Sequence, residues 1–190
     1  MNQQHEYIGT RKLLIGIVLA VITFWLFANS LINVIPNLQT SFGSYLSTIS
    51  IAVSLTALFC GMFVVGAGSL ADYFGRVRLT IIGLWLNIFG SLLIIVSDYI
   101  PLLLMGRAIQ GLSAALIMPA TLSLIKAYYH GDKRQRALSL WSIGSWGGSG
   151  FASLFGGMIA TFLSWRWIFV FSIIVPLIAV PVSYTHLTLP

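Results

Sequence analysis

Apolar residues fall in stretches of about twenty, separated by short polar joints, over nearly the whole chain. A hydrocarbon core of roughly 30 Å is crossed by about 20 residues of helix, and in lipid a helix is the one single segment that satisfies its own backbone groups. The pattern predicts six spans, at about 13–35, 48–67, 79–97, 102–125, 137–163 and from 167 to 181. The joints are short, which predicts sequential antiparallel packing. Pro36 and Pro101 fall at membrane boundaries, where a missing N–H costs little. The first run resembles a signal peptide in its Arg11–Lys12 start, but it is too long for an h-region and has no small-residue cleavage site, so it is read as a true span.

Composition agrees with this reading. Charged residues make up 7% of the 190 and apolar residues 58%, against about 25% charged in a soluble domain. The fold class is therefore all-α integral membrane. The cations then set orientation. Arg11 and Lys12 precede span 1, Arg76 and Arg78 separate spans 2 and 3, and Lys126, Lys133, Arg134 and Arg136 separate spans 4 and 5; the opposite joints hold only Arg166, beside Asp98. Cytoplasmic loops carry the Lys/Arg excess, which puts the amino terminus inside. The net charge of +6 reflects topology and contact with anionic lipid. Basic residues spread over three short joints give a nucleic-acid partner little support.

Cys60 is the only cysteine, so no disulfide framework or cysteine metal site is expected. His5 and His130 lie outside the spans with no His/Asp/Glu cluster to hold a metal. Residues 182–190 (VSYTHLTLP) break the sixth run at Tyr184 and His186. The string resembles the translation of a transposase sequencing adapter; a genuine polar helix end is the alternative. On the adapter reading the chain is a fragment cut inside span 6.

Four features carry candidate chemistry. Residues 68–78 (GSLADYFGRVR) join spans 2 and 3 and place Gly68, Asp72, Gly75 and Arg76 at a membrane exit, more than a turn requires. Arg107 is the only charge within a span, roughly 9 Å past Pro101 at 1.5 Å per residue. Such a group usually faces a cavity or a partner. Gln110 shares its helix face, and the pair predicts a water-lined interior rather than an arginine reaching back to the outer surface. Gly144, Gly148, Ala152 and Gly156 recur every fourth residue in span 5, with Gly147, Gly150 and Gly157 alongside. They form a small-residue stripe for close helix approach, either static or mobile. Residues 147–150 (GGSG) resemble the G-x-S-G of rhomboid-type intramembrane proteases. A serine nucleophile needs a base within hydrogen-bond reach, and the only histidine near a span is His186 in the suspect tail, so no enzyme is expected.

Together these elements resemble the major facilitator superfamily over essentially residues 8–181. The 68–78 segment is similar to that family's G-x-L-a-D-r-x-G-r-k signature, with Gly68, Leu70, Ala71, Asp72, Gly75 and Arg76 matching and Tyr73 and Val77 replacing two usual cations. Arg107, Gln110 and Gly111 match R-x-x-q-G of helix 4, and residues 165–169 (WRWIF) resemble the start of helix 6 in fourteen-helix drug:proton antiporters. Within that group, LLIGIVLAVITFWLFA, TALFCGMFVVGAGSLAD and RQRALSLWSIGSWGGSGFASLFGG resemble staphylococcal quinolone efflux pumps. Two departures stand out. Residues 152–157 (ASLFGG) lack the proline of the antiporter G-P-x-x-G-G, so any kink must be weaker or supplied by glycines, and helix 1 has Asn29 and Asn33 where many relatives carry an aspartate.

The resemblance implies the N-terminal half of a proton-coupled multidrug efflux antiporter of the bacterial cytoplasmic membrane, working by alternating access. It implies a hydrophobic, cationic or zwitterionic drug substrate, protons and lipid as partners, a missing C-terminal half, and no cofactor beyond the proton gradient. It assigns Arg107 and Gln110 to coupling and Gly68, Asp72, Gly75 and Arg76 to a cytoplasmic latch closed by a helix of the second half. Glu6, Asp72, Asp98 and Asp132 are the only acids and none sits mid-span, so the proton carrier is expected outside this chain. An uptake facilitator for a small metabolite and a stand-alone six-helix scaffold are the alternatives.

Overall fold

The computed structural model describes residues 10–184. Glu6, His5, the side chain of Asn29 and His186 with most of the 182–190 tail lie outside the described residues. Those described are helical nearly throughout: α1 (Arg11–Ser30), a 3₁₀ turn (Leu31–Val34), α2 (Ile35–Phe42), α3 (Leu46–Phe74), α4 (Arg76–Ile95), α5 (Ile100–Tyr128), α6 (Gly131–Ser142), a π turn (Ile143–Gly147), α7 (Gly148–Phe162) and α8 (Arg166–Tyr184).

Three of these differ from the expected spans for physical reasons. The first run tightens into the 3₁₀ turn and then continues as α2, because Pro36 falls in the first helical turn, where no N–H is required; Gly43, in left-handed conformation at φ 57°, ends it. The expected joint at 68–78 is not a loop. Its residues up to Phe74 complete α3, whose Ala67 and Ala71 stay on the buried face, and Arg76 already opens α4. Gly75 alone makes the turn at φ 97° and ψ 128°, where side chains other than glycine's are strained. The fifth run is split by the π turn at its glycine-rich stretch, where helix propensity is lowest. The break therefore lies ahead of the segment that lacks the family proline, and that segment is regular helix.

Helices α3, α4 and α5 are each long and apolar enough to cross a membrane, and the apolar stretch Arg166–Val180 of α8 is shorter. At 29 residues each, α3 and α5 run to roughly 43 Å, so their ends project past the hydrocarbon. The outside of the bundle is apolar: Leu58, Met62, Phe63 and Val65 of α3, Trp85 and Phe89 of α4, and Phe151, Leu154 and Met158 of α7 are all exposed. An apolar surface of that reach suits lipid or further protein rather than water.

Helix α5 is the axis of the bundle, with α4 and α3 packed along it and α8 packed against α1 and α4. One apolar cluster, including Leu31, Leu38, Ile94, Leu103 and Phe169, fills the end nearest the α4–α5 joint. Another, with Ile17, Leu124, Ile125 and Tyr129, fills the end near the α5–α6 joint. Arg166 pins α8 to the first of these ends. Its Nε donates to the Ile95 carbonyl at 3.1 Å, and its Nη2 to the Ser97 carbonyl at 3.1 Å and Asp98 Oδ1 at 3.3 Å. It also stacks over the Trp165 ring at 4.7 Å. A cation there satisfies carbonyls that the end of α4 leaves open. Trp165 Nε1 adds a bond to Ser41 Oγ at 3.0 Å, tying in the residue before Phe42 of α2.

Candidate functional site

Between the two apolar ends of the core lies a polar centre. Arg107 is 1% exposed and Gln110 4%, so neither faces a water-lined interior as the sequence suggested. A guanidinium has donors only, and here α3 supplies acceptors. Arg107 Nε donates to the Ala52 carbonyl at 3.2 Å and Nη2 to the Val53 carbonyl at 3.3 Å, while Nη1 donates to Gln110 Oε1 at 2.9 Å. Thr56 Oγ1 answers from α3 with a bond to the Arg107 carbonyl at 3.1 Å. Carbonyls already in a helix ladder have a second lone pair for this.

Gly111 explains why α3 can come so close. A Cβ there would sit 2.6 Å from the Thr56 carbonyl oxygen and 2.7 Å from Phe59 Cβ, so only a hydrogen fits. The three matched positions of helix 4 thus form one device: an arginine, the glutamine that takes one of its donors, and the glycine that lets the acceptor helix approach.

The centre extends further than the sequence indicated. Gln110 Nε2 donates to Ser91 Oγ at 2.9 Å, Ser91 Oγ and Ser172 Oγ share a hydrogen bond at 3.0 Å, and Asn87 Nδ2 donates to the Ser172 carbonyl at 2.9 Å and its Oγ at 3.1 Å. Asn87, Ser91 and Ser172 are all buried. Asn87 and Ser91 stand one turn apart inside an apolar run, a signal that could have singled them out; Ser172 is an isolated serine in α8 and gave none.

The residues of the α3–α4 turn are built differently. Asp72 ends α3 and Arg76 starts α4, so the one-residue turn at Gly75 brings them together. Arg76 Nε and Nη2 both donate to Asp72 Oδ1, at 3.3 and 3.1 Å, and Nη1 donates to the Ser123 carbonyl of α5 at 3.2 Å. The side chains are 37% and 65% exposed for Arg76 and Asp72. They border an open groove of about 560 Å³ that Arg78, Leu124 and Tyr128 also line. Gly68 is in ordinary contact, its virtual Cβ 3.9 Å from Pro119 Cβ.

The small-residue stripe packs against α1. Gly144 faces Val18 and Ile22, Gly148 and Ala152 are buried, and a Cβ on Gly156 would sit 2.8 Å from the Ser30 carbonyl oxygen. Ser30 Oγ donates to the Ala152 carbonyl at 3.1 Å. Gly157, expected in the stripe, stands off the packed face, with nothing within 4 Å of where its Cβ would be, as does Gly150. One residue beyond the stripe, a helix has turned about 100°. Among the described residues no group of three or more His, Cys, Asp or Glu is placed to hold a metal.

With this geometry in place, comparison with known proteins is specific. The family model of the Major Facilitator Superfamily matches residues 13–190. The quinolone resistance protein NorB of Staphylococcus aureus strain NCTC 8325 / PS 47 is 69% identical over 171 residues, covering 90% of this chain and 37% of that protein; NorB of strain Newman matches to the same extent. The chain thus spans about 37% of the length of these curated relatives. Among solved structures, the peptide transporter POT in complex with sulfate superposes with a TM-score of 0.83 at 17% identity, over 97% of this chain and 41% of that one. A bacterial homologue of the human lysosomal transporter Spinster, inward-facing and unoccupied, gives 0.72 at 19% identity, over 94% and 43%. At such identities the likeness is one of fold.

Proposed function

The chain belongs to the Major Facilitator Superfamily, a family of multi-pass membrane transporters rather than enzymes, and from that membership we propose that it is the N-terminal bundle of a proton-coupled multidrug efflux antiporter of quinolone type. The observation that carries the reading is the high identity to NorB over nearly all of this chain. The bundle would work with a second one from the rest of the polypeptide, gathering drug between them and releasing it as one rocks against the other. Membership of a bacterial quinolone pump group would put it in the cytoplasmic membrane, and the cation bias supports a cytoplasmic amino terminus.

Two sites divide the work. Arg107 is a fixed positive charge in a low-dielectric interior, and although its bonds to Ala52, Val53 and Gln110 stay within the bundle, such a charge lowers the pKa of a carboxyl brought near it. The described acids Asp72, Asp98 and Asp132 all stand at helix ends or joints, so the responding carboxyl belongs to the remainder of the protein. Asp72 serves as the latch. Arg76 holds its Oδ1, and no bond within the described residues goes to Oδ2, which is left for the N–H groups of a helix end from the second half. Opening toward the cytoplasm breaks that contact and closing restores it.

The test is quinolone movement by the full-length protein in proteoliposomes with an imposed proton gradient. Gradient-dependent export is expected, collapsing when a protonophore is added. Export that ignores the gradient, or a full-length Arg107→Ala protein that still expels drug under it, would overturn the coupling assignment.

A further inference from the structure

The polar centre has a far end that the coupling assignment does not use. We propose that Ser172 is a positioning residue for Arg107, acting through Ser91 and Gln110, so that α8 sets the orientation of the coupling arginine. The inference rests on the coupling role of Arg107 and adds to it the means by which another helix controls that role.

The chemistry of the chain of bonds carries the argument. Arg107 can only donate, so Gln110 must turn Oε1 toward it, which points Nε2 at Ser91. The Ser91 oxygen therefore accepts, and donating its own proton on to Ser172 continues the same polarity. Ser172 is held in turn by Asn87, which donates both to its carbonyl and to its hydroxyl. Every link is buried, in a medium where hydrogen bonds polarise one another and loose ends are costly. The Gln110 amide is thus clamped at both ends, by a cation on α5 and by the Ser91 hydroxyl on α4, which the Ser172 hydroxyl of α8 holds in turn.

Removing the Ser172 hydroxyl releases one clamp. Ser91 would turn its hydroxyl to a carbonyl of its own helix, the usual alternative for a buried helical serine. The Ser91 oxygen still accepts from Gln110 but is no longer held in place from α8, so the Gln110 rotamer and the acceptor it offers Arg107 are less firmly set. Asn87 is spared, since its bond to the residue 172 carbonyl survives the substitution. Arg166 sits less than two turns away on α8 and binds the end of α4, so α8 is held in register with the α4 residues that complete the relay.

A double-mutant cycle on the full-length protein tests this, read as gradient-driven quinolone export from proteoliposomes. Ser172→Ala is expected to lower export roughly three- to tenfold, the scale of one buried hydrogen bond, and Gln110→Ala by at least as much. The Ser172→Ala/Gln110→Ala double variant is expected to match Gln110→Ala alone, because both break the same chain. Ser113→Ala supplies the control. Its Oγ donates to the Gly83 carbonyl at 2.7 Å, an equally buried α5–α4 bond outside the relay, so its loss should multiply with that of Gln110→Ala. If the Ser172 and Gln110 losses multiply as the Ser113 control does while Arg107→Ala is inactive, the positioning role is overturned and the coupling role stands. If Arg107→Ala itself exports under the gradient, the coupling role fails first. Should Ser172→Ala not accumulate in the membrane, Ser91→Ala and the volume-keeping Ser172→Cys give the same cycle.

Discussion

Arg107 and Arg76 each reach across a helix seam to a backbone carbonyl, Arg107 to α3 and Arg76 to α5, and each has a side-chain partner within four residues on the chain. Their surroundings separate them. Arg107 is sealed inside the bundle with a neutral partner that is itself tied to α4 and, through Ser91, to α8. Arg76 is over a third exposed and pairs with an acid more exposed still. Removing one member of a buried charged network costs several kcal/mol because the others are stranded, whereas an exposed ion pair contributes about 0–1 kcal/mol and is screened by salt. The first arrangement suits a charge that must stay in place through a transport cycle. The second suits a contact made and broken on every turnover.

The largest effect should follow removal of the buried arginine. Arg107→Ala is expected to destabilise the bundle by about 3 kcal/mol or more, seen as a lower unfolding midpoint in detergent, together with loss of gradient-driven export. Arg107→Lys should recover only part of the stability, since one ammonium cannot reach Ala52, Val53 and Gln110 in the same fork geometry. A lysine variant with the full wild-type midpoint would mean the site needs charge alone, and the fork geometry would no longer set Arg107 apart from Arg76.

Behind each arginine stands a glycine, and the two are needed for different reasons. Gly111→Ala would drive a methyl into the Thr56 carbonyl, prising α3 from α5 and lengthening the bonds to Ala52 and Val53; about 1–3 kcal/mol of destabilisation is expected. Gly75→Ala meets open space but must hold φ 97°, a backbone strain of order 1–2 kcal/mol that falls on an exposed turn. Unfolding midpoints of the two variants rank them. If Gly75→Ala proves the worse for stability, the turn holds the fold together more than the α3–α5 seam does.

Much of this was legible in the sequence. Long apolar runs and a low share of charge pointed to an all-helical membrane bundle because lipid leaves the backbone few choices. Arg107, Gln110 and Gly111 stood out because polar and small residues are conspicuous in an apolar helix. What escaped detection depended on contacts between helices. The 68–78 segment looked like a loop because it is polar, yet α3 at 29 residues is longer than a hydrocarbon crossing needs and stays helical to Phe74. Ser172 reads as an ordinary small residue until α8 lies against α4. Gly157 joined the glycine stripe by proximity in sequence, and only the rotation of α7 shows that Gly156 meets Ser30 while its neighbour meets nothing within 4 Å.

The smallest structural effect should come from Asp72→Asn, and it is the sharpest test of the contrast. Asparagine keeps an Oδ1 that Arg76 can donate to, and Arg76 keeps its bond to the Ser123 carbonyl, so the unfolding midpoint should move by no more than about 1 kcal/mol equivalent. Membrane insertion should be normal. Transport is another matter, because an uncharged amide binds the N–H groups of a helix end less strongly than a carboxylate does. Slower export with an unchanged midpoint would place the work of Asp72 in the cycle rather than in the resting fold. Equal export would reduce the pair to a surface ion pair. A large fall in midpoint would show instead that the exposed pair holds the fold as the buried arginine does, and the distinction between the two sites would be lost.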